Sequence, residues 1–358
     1  MVREGVRPSQ MSAATKTALI AKLSPQSCIV VETTSNAKTN GAALIAAYTA
    51  AKALTPNGEE LSATNRACVI IPPGNYDLDH GEDDACVPLT LDTEFVDIIG
   101  LTTDRSLQQI YGTPEATNSG VIVQTADDVH VSNLYVKILT EVESANWDDT
   151  DSAAYFPSTS LSNTVVDNCQ FDGQDGSNDE GPRLFSMRLY IEYSGTFNNC
   201  TGGNFAFGGA GGTASGTFTN CTGGGDAFGG GGTASGTFTN CTGGDYSFGG
   251  GTASGTFTNC TGGDYSFGGG GGTASGTFTN CTGGEAAFGG DSGTASGTFT
   301  NCTGGEAAFG GAGGTLSGQL YYCRLTTGSF QTLAEGGKLR VCVDGSDTFI
   351  DTLDYKAP

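Results

Sequence analysis

Positive charge is missing from the most regular part of this chain. No lysine or arginine occurs between Gly195 and Gly318, although six acids stand there. Over all 358 residues only 15% are charged, with 15 basic side chains against 38 acidic ones, a net charge of −23. Recognition of phosphate backbones needs clustered Lys and Arg, so nucleic acid is not an expected partner. No CxxC pair exists, and only His80 and His130 could add imidazole ligands, so neither a zinc centre nor another metal or cofactor site is supported. No segment is apolar for long enough to cross a bilayer, so membrane insertion is not expected. The opening MVREGVRPSQMSAATKTALIAKL lacks the apolar centre and cleavage site of an export signal.

What the chain has instead is repetition. From Ser194 to Cys323 the motif SGTFTNCTGG returns, followed by a short variable piece, Phe-Gly-Gly and Gly-Thr-Ala. Its cysteines are Cys200, Cys221, Cys241, Cys260, Cys281, Cys302 and Cys323, spaced by 21, 20, 19, 21, 21 and 21 residues. A period in this range means one supersecondary unit stacked on copies of itself. Alternation along Thr217-Phe218-Thr219 puts the Phe inside and both Thr outside, with Asn220 at a corner and Cys221 inside again. The cysteines are therefore expected to be free and buried, acting as small hydrophobes, and no disulfide is expected. Two inner phenylalanine ladders follow, Phe218 to Phe299 and Phe207 to Phe309. Eleven such residues at about 1.5–3 kcal/mol each suffice as the core of a thin rod. The corner asparagines can bond one another as a ladder, and the Gly-Gly pairs can supply positive φ at tight corners. The variable position held by Tyr246, Tyr265, Phe205, Asp226, Ala286 and Ala307 leaves its outward or inward sense open.

The same pattern runs backwards through Leu101, Leu134 and Cys169, at intervals of 33, 35 and 31 residues up to Cys200. The early coils thus carry long loops and the later ones almost none. Ten anchors from Leu101 to Cys323 span roughly 43 Å at strand spacing. Ahead of them, Asn40-GAALIAAYTAAKAL predicts a helix capped by Asn40, and RACVIIPPGNYDL a strand stopped by Pro72-Pro73-Gly74.

A helix, an apolar strand ending in Pro-Pro-Gly-x-Tyr and then spaced strands resemble the entry to a pectate-lyase-like right-handed parallel β-helix, a fold shared by phage tailspikes and tail fibres. The expected fold is therefore all-β: a single-stranded right-handed parallel β-helix with a short N-terminal helical segment and a capping helix. The chain divides into a docking segment (1–38), the capping helix and lead-in (39–67) and the β-helix (68–323). Within the β-helix, coils are long-looped to about 199 and tight over 194–323. Residues 324–358 form a C-terminal cap, with a hairpin signal at Asp344-Gly345. Residues 1–56 carry six cations and two acids, a basic head on an acidic shaft. The resemblance implies a homotrimer, a phage tail or adaptor protein at the N-terminus, a location in the virion after assembly in the host cytoplasm, and a host surface glycan as ligand.

Candidate chemistry sits in two loops. One holds Trp147, Asp149 and Asp151; the other holds Asp175, Asp179 and Glu180, followed by Arg183 and Arg188. Trp147, Arg183 and Arg188 suit glycan binding. The acids would be the carboxylates of a glycan depolymerase, since glycosidic cleavage uses carboxylate pairs. Solvated connecting loops have the same composition, and binding without cleavage is the first reading. The second loop lacks the alternating acids of an EF-hand, and contiguous polygalacturonase Asp and His motifs are absent. A purely structural rod is a further alternative. The outward Thr columns resemble the threonine arrays of insect antifreeze proteins, but Thr is also simply a good β-branched residue for a strand facing water. The second explanation expects an ordinary freezing curve from the purified protein; measurable thermal hysteresis would reverse it.

Overall fold

The computed structural model describes residues 27–114, 119–139, 152–157, 162–173, 184–187, 192–209, 211–311, 313–330 and 333–351. The chain winds as a parallel β-helix. One 13-stranded sheet runs from Cys28–Val30 to Lys338–Arg340, with every neighbouring pair parallel. A corner follows each of its strands. The chain then enters a second face, represented by Gly74–Asp77, Gln108–Gly112, Tyr135–Ile138 and Gln170–Asp172. A third face closes the coil, with Leu89–Leu91 and Ser152–Pro157 early and Thr213–Ala214 through Thr315–Leu316 late.

In-register pairing turns each repeated residue into a column. Phe218 lies on Phe238 with ring centroids 4.9 Å apart, and Phe238 on Phe257 at 4.8 Å. The second ladder stacks Phe228 on Phe248 at 4.8 Å, and the two ladders meet edge to face, as at Phe218–Phe228, 5.7 Å apart and inclined by 83°. Offset-stacked and edge-to-face contacts are the favoured aromatic arrangements, so both are met at once. Ala214, Ala234 and Ala253 fill the narrow third face and are fully buried.

The corner asparagines have φ between 52° and 55° from Asn199 to Asn301. Each Nδ2 donates to the Oδ1 of the coil before it, for example Asn259 to Asn240 at 3.0 Å and Asn301 to Asn280 at 2.9 Å. Asn tolerates this left-handed conformation better than most residues. The positive φ expected of the Gly-Gly pairs is met by the first Gly of the pair after Phe and not by the pair in CTGG. Gly223 is needed for a close approach, because a Cβ there would collide with the Ala227 methyl. Positive φ belongs to the Asn, to the variable position, to the Phe of Phe-Gly-Gly and to the first Gly after it, such as Gly229 at 74°.

The variable position is mixed: Ala286 is buried and Phe205 packs against Ala153 and Phe156, whereas Tyr246 is turned outward. Tyr246 is 44% exposed, and its ring stacks on that of Tyr265 at 5.0 Å. Asp245 and Asp264 alongside each accept the backbone N–H of the next coil, at 2.8 and 2.7 Å.

The N-terminal boundaries move. Asn36, not Asn40, caps the helix Ala37–Ala51, its side chain accepting from Thr39 N at 2.9 Å. Asn40 is buried and ties the helix down, donating to Thr34 O and Asn75 O at 3.1 and 3.0 Å. Gly41 permits this contact, since a Cβ there would strike the Asp77 carbonyl. Leu44, Ala47, Tyr48 and Ala51 close the first coil.

The β-helix itself begins at Cys28 rather than near Cys68, so residues 28–38 belong to the fold and not to a separate docking segment. The expectation of wholly free cysteines is also overturned. Cys28 and Cys68 face each other in register on neighbouring strands and form a disulfide. Closing this 40-residue separation contributes about 4 kcal/mol on loop-entropy grounds.

The other ten cysteines are free, and nine of them, Cys169 to Cys342, form an inner column. Cys260, for instance, lies 3.5 Å from both the Phe238 and Thr258 carbonyls that accept from its thiol. At the far end one more coil is present than expected. Lys338–Arg340 pairs with Gln319–Tyr321, and Cys342 continues the column. The expected hairpin follows, with Cys342–Val343 antiparallel to Phe349–Ile350 and the Asp344 carboxylate accepting Ser346 N and Thr348 N at 2.9 Å each.

Two stability predictions follow from these columns. Val341 occupies the corner position at φ 53°, costly for a β-branched residue. Val341→Asn should raise stability by about 1 kcal/mol, read as a higher urea midpoint; a lower midpoint contradicts the corner assignment. Burial pushes the Cys169 and Cys323 thiols up to about 12. Unfolded thiols ionise near pH 8.5, so the stability these two contribute is complete below that pH and falls above it by about 1.4 kcal/mol per pH unit for each of the two. Urea midpoints at pH 7.0 and 9.5 check this, and equal midpoints would refute it.

Candidate ligand-binding face

The second face carries its distinctive chemistry in the looped coils. Alternation turns Ile110, Val136 and Phe171 into the core and leaves the residues between them outward. Register then aligns two outer columns, Asn75–Gln109–Tyr135–Gln170 and Asp77–Tyr111–Lys137–Asp172. The Lys137 ammonium sits between two rings, 5.3 Å from the centroid of Tyr111 and 5.6 Å from that of Tyr135. It also donates to Gln109 Oε1 at 3.3 Å, while the Tyr135 hydroxyl donates to Asp172 Oδ2 at 2.5 Å. Gln170 Nε2 donates to the same carboxylate at 3.1 Å.

Partial burial, and then the Asp172 carboxylate, push the Tyr135 phenol up to about 12, so it stays protonated and donating at neutral pH. The Tyr111 phenol is raised too, by burial and then by Asp77 and Asp79. The face therefore offers two aromatic rings, an ammonium, a carboxylate and two side-chain amides within three neighbouring coils. Such a set can stack on a sugar ring and bond its hydroxyls in both senses.

Every loop residue singled out from the sequence (Trp147, Asp149, Asp151, Asp175, Asp179, Glu180, Arg183 and Arg188) lies outside the described residues. The roots of both loops are described, however. Tyr135–Ile138 pairs with Gln170–Asp172, and Ser152–Pro157 pairs with Leu184–Met187. The connections 139–151 and 173–183 therefore leave from adjacent strands and return to adjacent strands, at one corner of consecutive coils. Lys137 and Asp172 stand directly at those departures.

The seven cysteines from Cys200 to Cys323 are buried in the inner column and reach no surface. Among the described residues, other reactive groups do not assemble into a centre. Cys86 is half-buried, and burial together with Asp79 pushes its thiol up to about 12, away from nucleophilic use. Burial lowers the His130 pKa, and its backbone N–H donates to Asp97, which is itself held bidentately by Arg66 at 2.6 and 2.9 Å. No group of three or more His, Cys, Asp and Glu fit for a metal ion occurs among the described residues.

One cation missed by sequence reasoning has a structural task. Arg105 crosses three coils to donate to the Cys169 and Asn199 carbonyls at 2.8 and 2.9 Å and to Thr201 Oγ1 at 2.9 Å. The Tyr111–Tyr135–Lys137 cluster was also missed. Its signal was alternation with polar residues at every outward place, a pattern any solvated strand shares.

No known family matches the chain, and no curated protein does. Among solved structures it is similar to ORF18 of Geobacillus virus E2, at 9% identity and a TM-score of 0.38 over 96% of this chain. The chain spans 64% of that protein's length. It is also similar to the pectin methylesterase PemA from Erwinia chrysanthemi, at 10% identity and a TM-score of 0.34, over 90% of this chain and 93% of the other.

If this face binds saccharide, Tyr111→Ala with Lys137→Ala should weaken binding at least tenfold, because both outward side chains contact only the surface network. Titration calorimetry on a variant with unchanged melting temperature is the check. Unaltered affinity would remove the face from consideration.

Proposed function

We propose that this chain is a phage tail appendage subunit that presents a host-surface glycan-binding face on a rigid β-helical rod. The observation that supports this most is the aromatic, amide and ionic face of Tyr111, Tyr135, Lys137 and Asp172, set where two acidic loops leave the coil together. The tight coils beyond add length and stiffness with almost no surface chemistry, as a spacer needs. Attachment to the tail through the basic N-terminal segment, assembly as a homotrimer and residence in the virion complete the proposal.

Cleavage of the bound glycan is a second reading, favoured by the shared corner from which the loops bearing Asp149 and Asp179 depart. Incubation with host capsule or lipopolysaccharide separates the two. Binding on a glycan array without released oligosaccharide supports a receptor-binding rod. Release that is lost in Asp149→Asn supports a depolymerase. A blank array with no release overturns both and leaves a structural rod.

A further inference from the structure

The outer columns of the 13-stranded sheet change character abruptly at the C-terminal end of the rod. Through the tight coils they read Thr and Thr, with Asn at the corner beyond. In the last two coils Thr298 is followed by Gln319 and then Lys338, and Thr300 by Tyr321 and then Arg340. The corner column passes from Asn301 to Tyr322, whose backbone N–H donates to Arg340 O, and then to Val341. Tyr322 is 61% exposed.

Two features set this tip apart from an ordinary charged edge strand. First, Tyr322 and Val341 both hold φ near 55° in a column where Asn would be relaxed. The sequence thus keeps a large ring at a strained outward position. Second, the cations are unpaired among the described residues. Asp344 is committed to its own turn, and Asp347 pairs with Arg324 at 3.1 Å. Lys338 and Arg340 form no ion pair among the described residues, and both are exposed around the buried Leu339. Their side chains leave the strand on the same side, about 6.6 Å apart. With Arg324 they are the first cations since Arg188, after 135 residues (189–323) without one.

We propose that this tip is a second saccharide site, selective for acidic polysaccharide, with Tyr322 stacking on a sugar ring while Lys338 and Arg340 take carboxylate or sulfate groups. The proposal rests on the glycan-binding reading of the rod and assigns it a ligand class at a place apart from the looped coils. Charge argues for this occupant. A second copy meeting tip to tip would bring like cations together. Two cations on a chain of net charge −23 release too few counterions to hold nucleic acid.

The test is titration calorimetry of the full chain with oligogalacturonate, dextran sulfate and uncharged dextran. Wild type is compared with Lys338→Gln/Arg340→Gln and with Tyr322→Asn. The acidic oligomers should bind, and the double substitution should weaken them at least tenfold. Tyr322→Asn should weaken them at least threefold while its melting temperature holds or rises, since Asn suits the corner. Binding of oligogalacturonate alone assigns carboxylate; binding of both acidic polymers assigns anionic charge in general. The proposal fails if the acidic oligomers do not bind although other glycans do, or if all variants bind them equally. It fails equally if duplex DNA binds with the same dependence on the tip, or if the substitutions shift the sedimentation coefficient and so mark a contact between copies. If no glycan of any charge binds, the glycan reading of the whole rod falls with it.

Discussion

Parallel pairing in strict register, at one strand spacing per coil, is the constraint from which the rest of this molecule follows. It places each residue directly over its counterpart one period earlier, so the side chain that fills a position must be one that packs well on itself. Phe stacks at 4.8 Å, Asn amides bond head to tail, a thiol fits beside two carbonyls, and Thr lines a wet strand. Charge is the poorest candidate for such a column, because like charges one strand apart repel. Five of the six acids in the repeats stand in the variable piece, the sixth being Asp291, and two of them cap the next coil's backbone.

The same constraint shows where function can reside. A surface made of identical columns has little information in it, so the informative places are the breaks. There are three among the described residues: the Tyr and Lys network at the roots of the long loops, the stacked pair Tyr246 and Tyr265, and the aromatic and cationic tip. Each puts an aromatic or charged side chain on the surface where the plain columns carry small uncharged ones. The ends of the rod obey a different demand, since an open coil exposes core and strand edges. The helix Ala37–Ala51 and the Cys28–Cys68 bond answer it at one end. The hairpin of Cys342–Val343 with Phe349–Ile350 stands at the other.

Most of the fold was legible in the sequence because periodicity carries register. Phe218, Asn220 and Cys221 announce their places twenty residues before they recur. What was not legible lacked a period. Cys28 and Cys68 stand outside the cysteine rhythm, and only the pairing of their strands brings them together. The last coil has Leu339, Lys338 and Arg340 where the repeat has Phe and Thr, so it read as a tail. Asn40 looked like a cap because it precedes an apolar run, whereas the stronger demand was a buried polar tether to Asn75. The outward sense of Tyr246 depended on a left-handed backbone, which residue alternation does not reveal. The face around Lys137 was invisible for a simpler reason: its members on different strands are 24 or more residues apart in the chain, and those on one strand are hidden among ordinary outward positions.

The central claim, that each coil is an interchangeable unit held by in-register columns, is tested most directly by removing one. Deletion of residues 242–260 joins Cys241 to Thr261 and restores the motif across the junction. Small-angle scattering should then show a folded rod shorter by about 4.8 Å, with the circular dichroism of the parent. Loss of folded structure, or an unchanged length, would contradict the account.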